Sequence, residues 1–280
     1  MVWILLLQSV IRRQVLLCLS YIAQNSSEKA IQIISTLNNQ ILEENIGGNE
    51  KMSVYAMSQG GTEAKAADPI CQQNALTLLY NIAKHGASQT TQVSAKIKCE
   101  TLIKFLELNK GTARNAGLQV LATLVEHSKE QAQQIIRLNG HKVIALCLCE
   151  SKPSTIQHAC EAIEHMASKG EPDITNKLVE NLPIGVDENV RYYNIPYILL
   201  ELTLNKGAQP SLVDAAYKAL MNVITNNTSL DALKLLLDRP NFDAVDDNKY
   251  ENILCQIVRR IHELLSEVKA YRKKLMEDNT

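Results

Sequence analysis

The chain has 280 residues and a formal net charge of −1, so its overall balance favours neither nucleic acid nor an anionic membrane. Aromatic residues are 4%, and Gly (11) and Pro (7) are scarce, which argues against a β-sandwich or barrel. Leu, Ile, Ala, Lys, Glu and Gln dominate instead, as helices prefer, and the fold class expected is all-α.

The first apolar run, Val2 to Leu7, is too short to span a membrane. The basic pair Arg12-Arg13 follows it, whereas a signal peptide places its charge before a longer apolar region. The pattern predicts a repeat helix over 11–23, a break at Gln24-Asn25-Ser26-Ser27 and a short helix over 28–34. A segment rich in Gly, Asn, Ser and Glu follows, about 43–68, with Gly47-Gly48 and Gly60-Gly61. It reads as a flexible loop inserted between helices.

Leu79-Tyr80-Asn81-Ile82-Ala83-Lys84-His85-Gly86 then ends a long helix. A degraded version returns as Ala122 to Ser128, and again as Ile163 to Gly170. The second version ends a helix over 111–126 that sets Leu118, Leu121, Leu124 and Val125 on one face. His127-Ser128 breaks it, and a short helix over 129–138 turns Ala132, Ile135 and Ile136 inward. Asn139-Gly140 is a left-handed stop signal. A helix over 142–149 follows, and Lys152-Pro153-Ser154 opens the next unit. Asn181 to Pro196 holds a second insertion, with Pro183, Gly185 and Pro196 as breakers. Helices are expected over 215–224 and 229–237, ended by Arg239-Pro240. A closing helix or pair, about 250–276, becomes increasingly charged from Glu263 onward, which suits a polar cap.

The anchors Ile82, Leu124 and Met166 recur at intervals of 42 residues, inside the range of roughly 40–47 for armadillo and HEAT arrays. Ile22 and Val223 extend the set outward across the two insertions. The architecture expected is a single armadillo/HEAT-like right-handed superhelical solenoid over 1–280. Such arrays bind partners along a concave groove lined by their long helices. The residue before each anchor should face that groove: Tyr21, Asn81, Thr123, His165 and Asn222. An Asn there can donate to and accept from an extended peptide backbone, and two of the five are Asn. One turn earlier stand Leu17, Thr77, Gln119, Glu161 and Lys218. None is Trp, so the aromatic array that nuclear-import adaptors use is missing.

No catalytic, cofactor-binding or metal residue is assigned. Cys147, Cys149, His158, Cys160 and His165 lie close in sequence, but helical residues two apart point about 200° apart, so Cys147 and Cys149 do not converge on zinc. The seven cysteines read as reduced, mostly buried thiols of a cytosolic protein. His85 and His127 follow helix ends, where an imidazole can meet free carbonyls, and no nucleophile or carboxylate pair accompanies them. The glycine pairs lack the Gly-Lys-Ser/Thr of a phosphate loop. Lys269 with Arg272-Lys273-Lys274 is a small basic cluster, read first as a solvated helix face and second as a contact for acidic tubulin.

Several stretches carry a family likeness. They are Ile11-Arg12-Arg13-Gln14 leading to Ile22-Ala23, Asn74-Ala75 through His85, and Lys110-Gly111-Thr112-Ala113-Arg114 before Glu126-His127-Ser128. Lys218 through Ile224, Ser229 through Leu233 and Leu237-Asp238-Arg239-Pro240-Asn241 continue it in order. The chain resembles the C-terminal part of the armadillo family of the ciliary central apparatus, sperm-associated antigen six or PF-sixteen. Family members are longer upstream and lack the 43–68 loop, so a fragment or shortened paralogue is expected. The resemblance implies a non-catalytic scaffold of the axonemal central pair, in the cytoskeleton of a cilium or flagellum, that supports motility. Axonemal proteins are the expected partners, with microtubules and self-association as secondary expectations, and neither nucleic acid nor membrane. The competing expectation is a soluble cytoplasmic adaptor that binds a linear peptide in its groove.

Overall fold

The computed structural model describes residues 2–39, 42, 46, 68–180, 182–184, 191–205, 207–226, 233, 236–237 and 247–277. For 2–9, 182–184, 191–193, 247–248 and 271–277 it describes the backbone alone. The expected loop 43–68 and helix 229–237 therefore lie mostly outside the described residues. Two compact units emerge, Met1–Val143 and Ile144–Thr280.

The first unit contains α1 (Val2–Asn25), α2 (Ser27–Thr36), α3 (Pro69–Ala83), α4 (Ala87–Lys96), α5 (Cys99–Leu108), α6 (Gly111–His127) and α7 (Lys129–Arg137). The unit boundary falls inside α8 (Gly140–Leu148). Long helices form one layer, α1 on α3 and α3 on α6. Short helices form the other: α2 and α4 pack on α3 and on each other, and α5 and α7 pack on α6 and on each other. Small polar residues start the helices by accepting from orphan backbone N–H groups. Ser26 Oγ accepts from Lys29 N at 3.2 Å, Asp68 Oδ1 from Ile70 N at 3.1 Å, and Ser128 Oγ from Gln131 N at 3.2 Å. Pro69 follows its cap at a position where no N–H is needed.

The anchors Ile82 and Leu124 are fully buried. The first anchor is displaced by one residue: Ile22 is 44% exposed, while Ala23 is fully buried. Residues facing α3 include Ser20 and Ala23, and Ile22 lies some 160° around the helix from Ser20 at about 100° per residue. The stop signal also divides its labour differently from the expectation. Asn139, at φ 59°, takes the left-handed conformation, and Gly140 starts the next helix. Glycine is needed at 140 for room, since a Cβ there would lie 2.7 Å from Ile135 Cγ2 and 2.8 Å from Ile103 Cδ1.

The second unit contains α9 (Pro153–Ala167), α10 (Pro172–Leu178), β1 (Leu182–Ile184), β2 (Arg191–Tyr193), α11 (Ile195–Leu204), α12 (Pro210–Asn226) and α13 (Asp247–Glu277). Helix α12 packs on α9 and α11, and α13 packs on α12. Met166 and Val223 are buried as anchors should be. The insertion expected over Asn181 to Pro196 contains an antiparallel hairpin, pairing Leu182 with Tyr193 and Ile184 with Arg191. Pro196 does not break structure there. It sits in the first turn of α11, which Asn194 Oδ1 caps by accepting from Tyr197 N at 2.8 Å. The closing segment is one 31-residue helix rather than a pair. Among the described residues no helix is long and apolar enough to cross a membrane.

Candidate functional site

The long helices of an array decide what its binding face offers, so each is taken by its solvent strip. On α3 the strip runs through Ile70, Gln73, Thr77, Tyr80 and Lys84, spaced alternately three and four residues as one helix face requires. Lys84 Nζ lies 5.8 Å from the Tyr80 ring centroid, within reach of a cation–π attraction. Asn81, one residue over, is 6% exposed. Its Nδ2 donates to Ser20 Oγ at 2.8 Å and Ser20 O at 3.3 Å, so its amide hydrogens are committed to α1. On α6 the strip is Thr112, Asn115, Gln119 and Glu126. Thr123 is 6% exposed, and its hydroxyl donates back to Gln119 O at 2.9 Å. Tyr21 on α1 is 70% exposed.

The commitment of Asn81 belongs to a column that the periodicity did not reveal. Asn74 Nδ2 donates to Arg13 O at 3.1 Å, and His85 Nε2 donates to Ala23 O at 2.6 Å. Asn74 and Asn81 stand i, i+7 on one face of α3, His85 lies two residues past its end, and all three fasten this segment to α1. His85 does meet a free helix-end carbonyl, as expected, but that carbonyl belongs to the neighbouring helix. An Arg13–Asp68 ion pair at 2.5 Å closes one end of the seam. Gln89 Nε2 to Ser27 Oγ at 2.9 Å and Lys96 Nζ to Leu37 O at 2.8 Å extend it across the short helices. Polar residues at helical spacing were the available signal. Assigning Asn81 to the groove hid it.

In the second unit the equivalent strip is chemically different. On α9, His158 Nδ1 lies 2.7 Å from Glu161 Oε2, and Gln157 Nε2 donates to Glu161 Oε1 at 3.0 Å. His165 sits one turn further on the same half-exposed face. Burial alone would raise the Glu161 carboxyl, but hydrogen bonds from His158 and Gln157, with the charges of His158 and His165, hold it below its ordinary 4.5. The result is a stabilised carboxylate flanked by imidazoles, at the surface. On α12, Asn222 is half-buried: its Nδ2 donates to Lys218 O at 3.1 Å, and its backbone carbonyl accepts from Asn226 Nδ2 at 3.0 Å. Of the five groove candidates, then, Tyr21, His165 and Asn222 reach the surface, and Asn81 and Thr123 lie within the layer.

Among the described residues no group of three or more His, Cys, Asp or Glu side chains is placed to hold a metal ion. Cys147 is buried on α8, and Cys149, one residue past the end of that helix, is exposed. Burial pushes the Cys99 thiol up to about 11 and raises that of Cys160 further, which keeps both unreactive.

No family model and no curated protein matches this chain. Solved structures do match it. The designed armadillo repeat protein YIII(Dq)4CqI superposes with a TM-score of 0.61 at 18% identity, covering 90% of this chain and 92% of that one. An engineered protein, structural-genomics target OR329, gives 0.61 at 16% identity with 90% of each chain covered. The designed armadillo repeat protein YIII(Dq.V1)4CPAF, in complex with peptide (KR)4, gives 0.53 at 15% identity with 88% and 91% covered. At such identities the likeness concerns the fold, which is an all-α armadillo-type solenoid.

Proposed function

We propose that this helical array is a non-catalytic protein-binding scaffold, and that it serves in the axonemal central pair of a cilium or flagellum. The observation that carries the first part is the half-exposed, largely polar strip on α3, α6 and α9, set apart from the side chains that fasten one helix to the next. A scaffold needs a fixed frame and a variable face, and those two sets of residues are separate here. The second part rests on the ordered resemblance across 11–241 to the central-apparatus armadillo family. In that role the repeats hold geometry and transmit load between microtubule projections, and they turn over no substrate. Axonemal proteins and microtubules are the partners of this reading, and its location is the cytoskeleton.

A soluble cytoplasmic adaptor is the second reading. The Glu161 carboxylate between His158 and His165 favours it, because a surface anion suits a basic linear peptide. One structural neighbour is itself a complex with the peptide (KR)4. Detergent extraction of ciliated cells separates the two. Retention of the chain with the axonemal microtubules supports the scaffold. A wholly soluble pool with no ciliary signal overturns it in favour of the adaptor.

A further inference from the structure

Helix α13 presents more apolar surface than its own unit covers. Tyr250, Ile253, Ile257 and Leu264 are buried, and Tyr250 Oη donates to Leu237 O at 3.1 Å. A second stripe lies about a quarter turn around the helix: Leu254, Val258, Ile261, Leu265 and Val268. Its spacing is four, three, four, three, the heptad seam of a coiled coil, and the next two seam positions are Arg272 and Leu275. Val258, Leu265 and Val268 are 56%, 46% and 49% exposed. Leu254, Cys255, Val258, Arg259 and His262 line an open hollow of about 520 Å³ along this side. From Leu265 to Ala270 every residue is exposed, so these turns gain nothing from the body of the unit.

We infer that this seam docks a second copy of the chain, α13 against α13, in an antiparallel coiled coil. A 4-3 stripe is matched by another 4-3 stripe, because each knob needs a hole between four residues of a helix with the same repeat. The direction follows from charge. Lys269, Arg272, Lys273 and Lys274 outnumber Glu267 and Glu277 in the last turns, while Asp247 and Glu251 outnumber Lys249 at the start. A parallel pair would set the basic ends side by side and Arg272 against Arg272 in the seam. An antiparallel pair brings each basic end beside the other copy's acidic start. One register then stacks Val258 on Val268 and Ile261 on Leu265 of the second copy, four apolar layers about a two-fold axis, with position 254 of each copy opposite position 272 of the other beyond them. Cys255, His262 and Lys269 flank the seam, with His262 near its counterpart at the axis. The pairing is independent of the groove on the long helices.

Sedimentation of the full chain over a concentration series should show mass rising from 31.2 kDa toward twice that value. Changing the exposed seam residues together, Val258→Glu, Leu265→Glu and Val268→Glu, should hold it at the monomer with unchanged helical circular dichroism. With the exposed cysteines Cys18, Cys149 and Cys255 replaced by Ser, His262→Cys should yield an oxidised dimer. Cys255 kept alone should yield little. A monomer at every concentration, or a dimer indifferent to the three glutamates, overturns the inference. Efficient Cys255 cross-linking overturns the antiparallel arrangement. A monomer that instead sediments with anionic vesicles or with microtubules assigns the seam to that surface and equally overturns it.

Discussion

Helices α3 and α9 end in the same recurrent phrase, yet they spend their polar residues in opposite ways. Asn74 and Asn81 on α3, and His85 just past its end, reach across to the backbone of α1 at Arg13, Ser20 and Ala23. On α9, Gln157, His158 and Glu161 bond to one another and stay at the surface. Both helices share buried anchors, Ile82 and Met166, so the apolar grammar is common and the polar content is not. A repeat position therefore has no fixed role: an amide at Asn81 fastens the frame, and an imidazole at His165 stays at the surface.

The common grammar is tested first, because it should cost most. Leu124→Ala and Met166→Ala each remove a fully buried side chain, and each should destabilise by about 2–5 kcal/mol in urea denaturation. A cost near zero for either would mean that its unit tolerates a cavity the other does not. Gly140→Ala should cost about 1–3 kcal/mol, because the new methyl group overlaps Ile135 and Ile103 within the first unit. The polar contrast comes next. Asn81→Ala leaves Ser20 without its buried donor and should cost about 1–3 kcal/mol. His165→Ala, at the surface, should stay within about 0.5 kcal/mol. Equal losses from the two would erase the distinction between frame and face.

Where apolar periodicity decided the outcome, the sequence was legible. Helices over 111–126 and 129–138 appear within a residue of their expected ends, and Leu118, Leu121, Ala132 and Ile135 are buried. At the edges, periodicity has too little to say. Ile22 and Ala23 are both apolar, and only the position of α3 decides which is covered. Proline was read as punctuation at Pro196 because its backbone restriction is visible in sequence. The Asn194 cap that turns it into a helix start depends on the whole turn. The groove row was half legible for a related reason. A shift of one residue on α3 exchanges Asn81 for Tyr80, and nothing in the spacing of polar residues states whether an amide faces water or a neighbouring carbonyl.

The smallest expected effect concerns Glu161 and carries a pH signature. The fold holds this carboxyl below 4.5, so the folded state favours its ionised form. That contribution to stability is complete above 4.5 and disappears as pH falls through the lower folded value. The urea midpoint of the wild type should therefore drop on going from pH 6 to pH 3, and Glu161→Gln should make that drop shallower while changing little near pH 7. The residue is partly exposed, so added salt should shrink the difference. An unchanged acid limb in the variant would mean that His158 and Gln157 do not hold a carboxylate there, and the surface anion on which the peptide-binding reading depends would be gone. A shallower limb would place the ionised group on α9, where α3 carries no carboxylate.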